Sequence, residues 1–368
     1  MNILIPDRIG EFNLYTKHLA TAYQNIGHCV IYDVQNFLFS DFLPDFVHIQ
    51  WPESIYRWEQ KLPENKNTLV MLNDRLYRYS KAKIPIVYTV HNILPHENTT
   101  EFSKEFCKAI LNYSDIIVHH GKSSITLLKD IFPDCRNKNH IVCPQGPYAR
   151  ITEDWQKSRF YYKLPLSKYI FLNFGLQRSY KGFKFTKKVF NKFQDPNFYL
   201  FTIGPKIAEK QKSSFFKIVR QVKCKIELRI AENTSVLFNN MKSILRSVPN
   251  DEIPKIMAAV DAFFLGHQDG LNSGLLSLAA TYGKPIIFPM LGNFNEQLEG
   301  WLYKEPYIAN NAQSATEALI KMRARLNNYS PGRIIFDNSE WLELHSWNKH
   351  VNNIVNAVEI LKNKRICK

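Results

Sequence analysis

The chain has 368 residues and a formal net charge of +15, and 45% of its residues are hydrophobic. This length is too great for one compact core and predicts about two domains. The composition is that of a packed globular protein and excludes an intrinsically disordered chain. The positive charge is concentrated, because residues 157–229 hold 18 basic and only 3 acidic side chains.

This basic region has two interpretations. A positive field attracts anionic lipid headgroups, nucleic acid or phosphorylated substrates. Lysines on a helix such as KFTKKVFNKF are equally what a solvated surface carries. Nucleic acid is disfavoured as a partner because no recognition helix or RNP-like aromatic pattern accompanies the basic residues. Contact with an anionic membrane surface stays open.

The six cysteines are scattered and form no C-x-x-C pair. This spacing predicts a reducing compartment and disfavours a disulfide framework or a structural zinc site. The opening MNILIPD is too short for a signal peptide, and no later segment approaches the roughly 18 apolar residues of a membrane span. We therefore expect a cytoplasmic protein, either soluble or peripheral on the inner face of the plasma membrane.

Short apolar runs alternate with helical patterns through the first 150 residues. In the predicted helices 14–27 and 102–113, apolar residues recur every three or four positions. Alternation of this kind predicts βαβ units and a parallel sheet with helices on both faces. The predicted strands of this half span 2–6, 29–34, 45–50, 84–90, 114–120 and 140–144.

The pattern pauses after Tyr148 and then restarts, which predicts a second α/β sheet and a cleft between the two. The new elements are strands at 169–175, 197–204, 262–267 and 284–290 and a helix at 249–260. We divide the chain into an N-terminal domain (1–150), a linker (151–166), a C-terminal domain (167–340) and a terminal helix (341–368). That helix either crosses back to the first domain or caps the second.

Polar, aromatic and glycine residues gather where the predicted strands end. Ligands of open α/β sheets bind beyond the carboxyl ends of the strands, so these loops predict a two-sided binding cleft. The absence of G-x-G-x-x-G after the first strand and of a P-loop motif disfavours a dinucleotide oxidoreductase and a P-loop kinase. The loops are HIQWPE (48–53), HNILPHE (91–97), QGPY (145–148), GLQRSYKG (175–182), GHQDGLNSG (266–274) and LGNFNEQ (291–297).

The loop after the first strand of the second half carries two cations. Arg178 and Lys181 stand in NFGLQRSYKG (173–182), just before a helical stretch. Backbone N–H groups at a helix N-terminus and nearby positive side chains together form an anion site. The alternative is an ordinary strand-to-helix turn with solvated charges.

Several of these motifs together resemble a known family. VHIQWPE, YTVHNILPHE, FG-x-x-R-x-YKG, and NSG followed by a helix and GKP are similar to bacterial glycosyltransferases of the GT-B fold, in the family 4 (glycosyltransferase group 1) neighbourhood. The resemblance covers most of the chain in order, as far as SWNKH near its C-terminus, and its motifs are short but jointly specific. It implies two Rossmann-like domains that face a cleft.

The resemblance also implies a reaction. Such enzymes move a sugar from a nucleotide-diphosphate sugar, UDP- or GDP-linked, to a glycan or lipid-linked oligosaccharide during capsule or O-antigen assembly. They use no metal and no further cofactor. A departing diphosphate gains negative charge, so a metal-free enzyme must supply fixed positive charge beside it. Arg178 and Lys181 match the family's phosphate-binding cations, and the donor site would add Gly175 and the helix start at Asn272, Ser273 and Gly274.

Other residues follow from the same resemblance. His91 stands where the family keeps a histidine that faces the donor sugar, although a buried structural histidine would fit the pattern too. Gln145, Gly146 and Tyr148 replace the family's His-Gly pair and are expected to shape the domain hinge. Trp51 could equally belong to the core and Glu97 to a helix start. The residues expected to line the acceptor half of the cleft are Glu11, Asn13, Trp51, Glu53, His96 and Glu97.

One departure from the family leaves donor recognition open. The family's two glutamates, separated by seven residues, would fall at Gly270 and Leu278, so neither carboxylate is present. Asp269 or Glu296 is expected to substitute, and Glu296 is the better candidate to bind the ribose or a sugar hydroxyl.

The family tendency is retention of configuration, for which the leaving phosphate itself can accept the proton. Inversion would require a general base within about 3 Å of the acceptor hydroxyl, and Glu97 is then the first choice. A second hypothesis is a non-catalytic GT-B-like protein that binds a nucleotide-sugar or serves as a scaffold.

Overall fold

The structure is a computed structural model that describes residues 1–7, 14–58, 60–95, 99–205 and 240–366. These residues form two six-stranded sheets in which every pairing is parallel. The elements of the N-terminal lobe are β1 (Asn2–Ile5), α1 (Leu14–Asn25), β2 (Cys29–Tyr32), α2 (Val34–Phe39), β3 (Phe46–Ile49), α3 (Lys66–Lys81), β4 (Ile86–Val90), α4 (Glu101–Tyr113), β5 (Ile116–His119), α5 (Ser123–Ile131) and β6 (Asn139–Val142).

The C-terminal lobe repeats the alternation of strands and helices. Its elements are α6 (Trp155–Tyr161), β7 (Tyr169–Phe174), α7 (Phe183–Phe193), β8 (Phe198–Ile203), β9 (Met241–Ile244), α8 (Ile253–Ala259), β10 (Ala262–Phe264), α9 (Gly274–Thr281), β11 (Ile286–Pro289), β12 (Lys304–Tyr307), α10 (Ala312–Leu326) and α11 (Ser339–Leu344), and they are followed by the terminal helix α12 (Trp347–Ile366). The predicted α/β class with two Rossmann-like sheets is therefore confirmed.

Two strands were missed by the sequence analysis. The strand order of the second sheet is β12-β11-β10-β7-β8-β9, so β9 and β12 are its two edges. Their sequences, MKSI and KEPY, are not continuous apolar runs. An edge strand pairs on one side only and therefore tolerates lysine, serine or proline where a central strand does not.

The stretch predicted as a linker contains helix α6. Asp154 caps this helix by accepting a hydrogen bond from Lys157 N at 2.7 Å. The Arg159 side chain on α6 is fully buried, pairs with Asp261 and donates to the carbonyl of Ala259 at 3.0 Å. Because Arg159 is buried against Ala259, the last residue of α8, and Asp261, which directly precedes β10, α6 is part of the C-terminal lobe.

The Arg159–Asp261 pair joins distant parts of the C-terminal lobe. Asp261 accepts hydrogen bonds from Ile170 N at 2.7 Å and from Gly332 N at 2.6 Å. Burial raises the pKa of Asp261, while Arg159 and these donors act in the opposite direction. A buried ion pair is tolerated only when its remaining lone pairs and protons are bonded, as they are here.

The sheet of the N-terminal lobe is covered on both faces. One face packs against α2, α3 and α4 through an apolar cluster that includes Phe37, Leu72 and Phe106. The other face packs against α1 and α12, with Leu19 and Ile354 buried between them. Strands buried on both sides are the continuous apolar runs that the sequence shows.

Helix α12 is the last element of the chain, yet it packs on the first lobe. Ion pairs fix its end there: Lys362 Nζ lies 2.9 Å from Asp45, and Arg365 pairs with Asp115. The terminal helix therefore crosses from the C-terminal lobe and packs on the N-terminal lobe.

The strand order places the candidate site. In the second sheet β7 and β10 are neighbours, and in the first sheet β1 is paired with both β2 and β3. The loops that leave two such neighbours in opposite directions open a crevice at the carboxyl edge of the sheet. The loops after β7 and β10 therefore meet at one crevice and those after β1 and β3 at another.

We expect Asp261→Asn to lower the free energy of unfolding of the C-terminal lobe by about 3 kcal/mol or more, because Arg159 would remain buried without a counter-charge. Denaturant unfolding followed by tryptophan fluorescence measures this loss. Asp41→Asn is the matched control, since Asp41 pairs with Arg78 at the surface, and it should leave unfolding unchanged. Equal losses in both variants would contradict the stabilising role of the buried pair.

Candidate active site

The loop after β7 is shaped by two glycines with positive φ. Gly175 has φ 108°, and a Cβ built on it would lie 3.0 Å from Lys181 Nζ, so the lysine side chain folds back over this glycine. Gly182 has φ 59°, and a Cβ there would collide with the carbonyl oxygen of Gly266. Both positions thus exclude a side chain, and the backbones of the loops after β7 and β10 touch.

Two cations lie together in this loop. Arg178 is half-buried and its guanidinium donates to the Tyr180 hydroxyl at 3.5 Å. Burial, and then the charge of Arg178, lowers the pKa of Lys181 to about 8. Desolvation and repulsion from Arg178 both disfavour the charged form of Lys181. An anion placed between the two cations would offset both effects.

The start of α9 lies against the N-terminal lobe. The Asn272 side chain donates from Nδ2 to the carbonyl of His91 at 2.8 Å. A Cβ on Gly274 would lie 2.5 Å from the Tyr148 hydroxyl, so this glycine permits the close approach of that ring. The structure therefore brings the predicted donor residues Asn272, Ser273 and Gly274 to the strand end that carries His91.

The loop before α9 also makes apolar contact across the cleft. Leu271 is buried in the apolar cluster of the N-terminal lobe. Asn293, from the loop after β11, donates to Asn272 Oδ1 at 2.8 Å and accepts from Ser124 N at 3.0 Å. Residues of two C-terminal loops are thus fixed by the N-terminal lobe.

Glu296 was predicted to bind the ribose or a sugar hydroxyl. Its carboxylate instead accepts hydrogen bonds from Lys122 N, from Ser123 N at 2.9 Å and from Ser123 Oγ at 2.6 Å. It caps the first turn of α5, a helix of the opposite lobe, and these bonds act to lower its pKa. In this arrangement both oxygens have protein partners, and ribose binding by Glu296 stays a prediction.

His91 follows β4 and is almost completely buried. Its ring stacks on Trp51 with centroids 3.9 Å apart and planes 13° apart. Nε2 lies 2.9 Å from the Gln50 side-chain oxygen, and Nδ1 lies 3.4 Å from His120 Nε2. Burial, followed by the charges of neighbouring histidines, lowers the pKa of His91 well below its ordinary value.

Trp51 and Glu53 follow β3 and lie on the same side of the cleft as His91. The two residues line one small pocket together with His91 and Tyr88. Trp51 is half-buried, and Glu53 is 6% exposed, with a pKa that burial raises. A half-exposed indole provides a flat apolar surface, and a desolvated carboxyl group provides a proton donor or acceptor beside it.

Four predicted residues, Glu11, Asn13, His96 and Glu97, lie outside the described residues.

Of the hinge candidates, Gln145 donates to the Tyr148 hydroxyl at 3.2 Å, and Tyr148 N donates to Thr281 in the other lobe at 3.1 Å. The Trp347 ring lies against Gly146, where a Cβ would come within 2.5 Å of it.

Sequence reasoning missed three residues that organise this site: Gln50, His120 and Asn293. Gln50 and Asn293 lie in the predicted loops 48–53 and 291–297, and His120 is the last residue of the predicted strand 114–120, so all three stand at or after a strand end. Sequence did not show which polar side chains of those loops would meet one another.

The described residues contain neither a candidate metal site nor a candidate membrane-spanning helix. No group of three or more His, Cys, Asp and Glu side chains there has an arrangement that would hold a metal ion. Within the same ranges, no helix combines the length and the apolar character that crossing a membrane needs.

Solved structures with the same architecture are glycosyltransferases of the GT-B fold, and the chain has that fold. The Anabaena protein Alr3699/HepE in complex with UDP has a TM-score of 0.62 at 14% identity, over 97% of this chain and 100% of that one. Sucrose-phosphate synthase from Thermosynechococcus elongatus has a TM-score of 0.60 at 13% identity, over 100% and 98%. The catalytic domain of Arabidopsis thaliana starch synthase IV, bound to ADP and acarbose, has a TM-score of 0.62 at 10% identity, over 100% and 99%.

A curated relative is similar in sequence as well. The GDP-mannose:glycolipid 4-beta-D-mannosyltransferase of Xanthomonas campestris pv. campestris is 23% identical over 253 residues, which are 67% of this chain and 61% of the relative. The matched region thus spans about three fifths of that relative's length. No model of a protein family matches the chain. The expected resemblance to GT-B glycosyltransferases is confirmed by the relative and by the solved structures.

We expect Glu296→Ala to speed hydrogen exchange at the start of α5 about two- to fivefold, because losing a helix cap costs roughly 0.5–1 kcal/mol. Mass spectrometry of a peptide spanning residues 120–126 reports this change. Glu299→Ala is the control, since Glu299 is an exposed carboxylate three residues away. Unchanged exchange in Glu296→Ala would show that the interlobe cap is absent in solution.

Proposed function

We propose that the protein is a glycosyltransferase that moves a sugar from a nucleotide-diphosphate sugar to a glycan acceptor. The observation that carries the proposal is the Arg178–Lys181 pair at the crevice between β7 and β10, where burial and mutual repulsion lower the pKa of Lys181. Such a pair stabilises the charge that a diphosphate gains as the glycosidic bond breaks. UDP in the complex of Alr3699/HepE and GDP-mannose in the relative's name support a nucleotide-sugar donor.

The roles of the two lobes follow from their strand-end loops. The loop after β7 and the start of α9 would bind the donor, and Trp51 and Glu53 would bind the acceptor across the cleft. Sugar rings stack on aromatic faces, and their hydroxyls donate to carboxyl groups. The relative acts on a glycolipid according to its name, which supports a lipid-linked acceptor and, with it, a role in surface polysaccharide biosynthesis.

A lipid-linked acceptor would bring the protein to a membrane surface. We propose peripheral contact at the inner face of the plasma membrane, supported by the basic residues between 157 and 229. Sedimentation with anionic vesicles at low salt, lost at high salt, is the expected behaviour. Equal sedimentation with neutral vesicles would contradict an electrostatic contact.

The stereochemistry has two candidate routes. Retention, with the leaving phosphate as proton acceptor and no metal, is the proposal. It is consistent with the cation pair, which would hold that phosphate. Inversion would require a carboxylate base, and Glu53 is the described carboxyl group in the pocket beside His91. The anomeric configuration of the product, assigned by NMR, distinguishes retention from inversion.

The second candidate function is a GT-B protein that binds a nucleotide-sugar without transfer. The replacement of the family's glutamate pair by Gly270 and Leu278 favours it. Thermal-shift screening against UDP- and GDP-sugars, followed by product analysis with glycan and glycolipid acceptors, separates the two. Transfer excludes the second function, and saturable binding without transfer or hydrolysis supports it. A ligand at 100 times its Kd should stabilise the protein by about 2.7 kcal/mol.

Nucleotide affinity should fall as pH rises above about 8, by up to tenfold per pH unit, because Lys181 then loses its proton before the diphosphate binds. Below that pH the lysine is charged and the affinity should be flat. Isothermal titration with UDP or GDP between pH 6.5 and 9.5 measures the profile. Lys181→Arg keeps its charge throughout and should remove the decline; a decline of equal slope in this variant would assign it to another group.

Lys181→Ala should lower turnover roughly 10²- to 10³-fold, the size expected when one charge contact with the transition state is lost. Initial-rate measurement on the nucleotide-sugar found by screening tests this. The matched control is Lys184→Ala, which removes an exposed lysine from α7, three residues away. A folded Lys181→Ala protein with unchanged turnover would remove Lys181 from the mechanism.

A further inference from the structure

The His91 ring belongs to a chain of hydrogen bonds between side chains of the N-terminal lobe. His120 Nδ1 lies 3.0 Å from the carbonyl oxygen of Cys143. His120 Nε2 lies 3.4 Å from His91 Nδ1, and His91 Nε2 lies 2.9 Å from the Gln50 side chain. Both nitrogens of both rings therefore have a protein partner.

The Cys143 carbonyl at one end of this hydrogen-bond chain determines which ring nitrogens carry protons. A carbonyl oxygen only accepts, so His120 carries its proton on Nδ1, and the Nε2 of the neutral ring accepts. His91 must then donate from Nδ1, which leaves its Nε2 as an acceptor. Among the described residues, the partner of this second acceptor is the side chain of Gln50, which can satisfy it through its NH₂ group.

The Gln50 amide gives independent support for this arrangement of protons. As placed, its oxygen faces His91, and its buried nitrogen has no hydrogen-bond partner among the described residues. The two ends of an amide have the same shape, and their assignment follows from the hydrogen-bond network. Turning the amide by 180° gives its nitrogen an acceptor, and an unpaired buried N–H is rarer than an underused carbonyl oxygen.

The surroundings favour a neutral ring. The titratable groups around His91 are Tyr15 on α1, His48 on β3, Glu53 after β3, His120 after β5 and His350 on α12. Burial and the neighbouring histidines lower the pKa of His91, and burial lowers the pKa of His120 to about 4. Two neutral imidazoles require the one-directional chain of hydrogen bonds described above, whereas the unturned amide would require an extra proton between the two rings.

The same chain of hydrogen bonds also fixes the indole of Trp51, the residue that we assign to acceptor binding. Gln50 precedes Trp51 in the sequence, so one loop both bonds the His91 ring edge and stacks on its face. The Tyr15 ring meets His91 edge-on, with centroids 4.6 Å apart, and so blocks rotation of the imidazole. The orientation of Trp51 therefore depends on the orientation of His91.

We propose that Gln50 and His120 are positioning residues that hold His91 as the neutral tautomer protonated on Nδ1, and thereby hold Trp51 as a fixed sugar-stacking surface. In this arrangement the imidazole supports the indole and does not transfer a proton, because neither ring nitrogen is free to meet a substrate. The assignment of Trp51 to an acceptor sugar rests on the proposed function. The placement of the protons on His91 and His120 does not depend on that function, and it is measurable without any substrate.

The test is long-range proton–nitrogen NMR of the full-length protein labelled with ¹⁵N-histidine, at pH 7. The chain has eleven histidines, and the His91 signals are assigned by their loss in His91→Asn. A protonated and a bare ring nitrogen differ widely in nitrogen shift, so the tautomer is read directly. The expected result is a protonated Nδ1 and a bare Nε2. A His91 ring protonated on Nε2, or on both nitrogens, would overturn the proposal.

Gln50→Glu provides the second measurement. An ionised carboxylate only accepts, so the spectra are recorded at pH 7 and again at pH 9 to ionise the new carboxyl group; His91 would then have to donate from Nε2, and its Nδ1 would face the bare Nε2 of His120. We expect the His91 signals to leave the neutral Nδ1–H pattern, either for the other tautomer or for an imidazolium shared with His120. Gln35→Glu makes the same change at an exposed position on α2 and should leave the His91 signals unaltered. Unaltered His91 signals in folded Gln50→Glu at both pH values would contradict the positioning role.

Failure of the proposed function gives a different result. A protein that turns over no nucleotide-sugar but shows the Nδ1–H tautomer supports the hydrogen-bond chain and refutes the glycosyltransferase. An active enzyme in which His91 is protonated on Nε2 refutes the hydrogen-bond chain and leaves the proposed function standing.

Discussion

The candidate site depends on one insertion, that of the loop before α9 into the opposite lobe. Leu271 enters the apolar cluster of the N-terminal lobe, and Asn272 donates to the carbonyl of His91. Burying a leucine side chain contributes roughly 1.5–3 kcal/mol and a buried hydrogen bond about 1 kcal/mol, which together are enough to favour one relative position of the lobes. The start of α9, the crevice beside β7 and the strand end that carries His91 take their mutual positions from this contact.

The two sides of the cleft differ in their electrostatics. On the C-terminal side, Arg178 and Lys181 lie close together, and burial, followed by the charge of Arg178, lowers the pKa of Lys181. On the N-terminal side, burial lowers the pKa of the His120 and His350 imidazoles, and the backbone carbonyls of Cys143 and Pro144 orient them. An anionic leaving group fits the first side, and an uncharged sugar fits the second.

The carboxylates of this chain are used differently from those that the family pattern predicts. Gly270 and Leu278 stand in place of the glutamate pair, and Glu296 caps a helix of the opposite lobe. A carboxylate at this edge therefore contributes to closure of the cleft. Glu296 could still bind a ribose after the lobes separate, because the cap would then be broken.

The sequence by itself determined the architecture, because strands buried on both faces must be apolar, and their alternation with helices leaves only parallel sheets. It also located the loops with chemistry, since Gly175 ends a predicted strand and Lys181 and Asn272 follow predicted strands. Only the tertiary structure decided that α12 crosses to the first lobe, that α6 belongs to the second, and that Glu296 and His91 already have partners. Those outcomes depend on contacts between residues far apart in the chain, and the local periodicity of a sequence carries no record of such contacts.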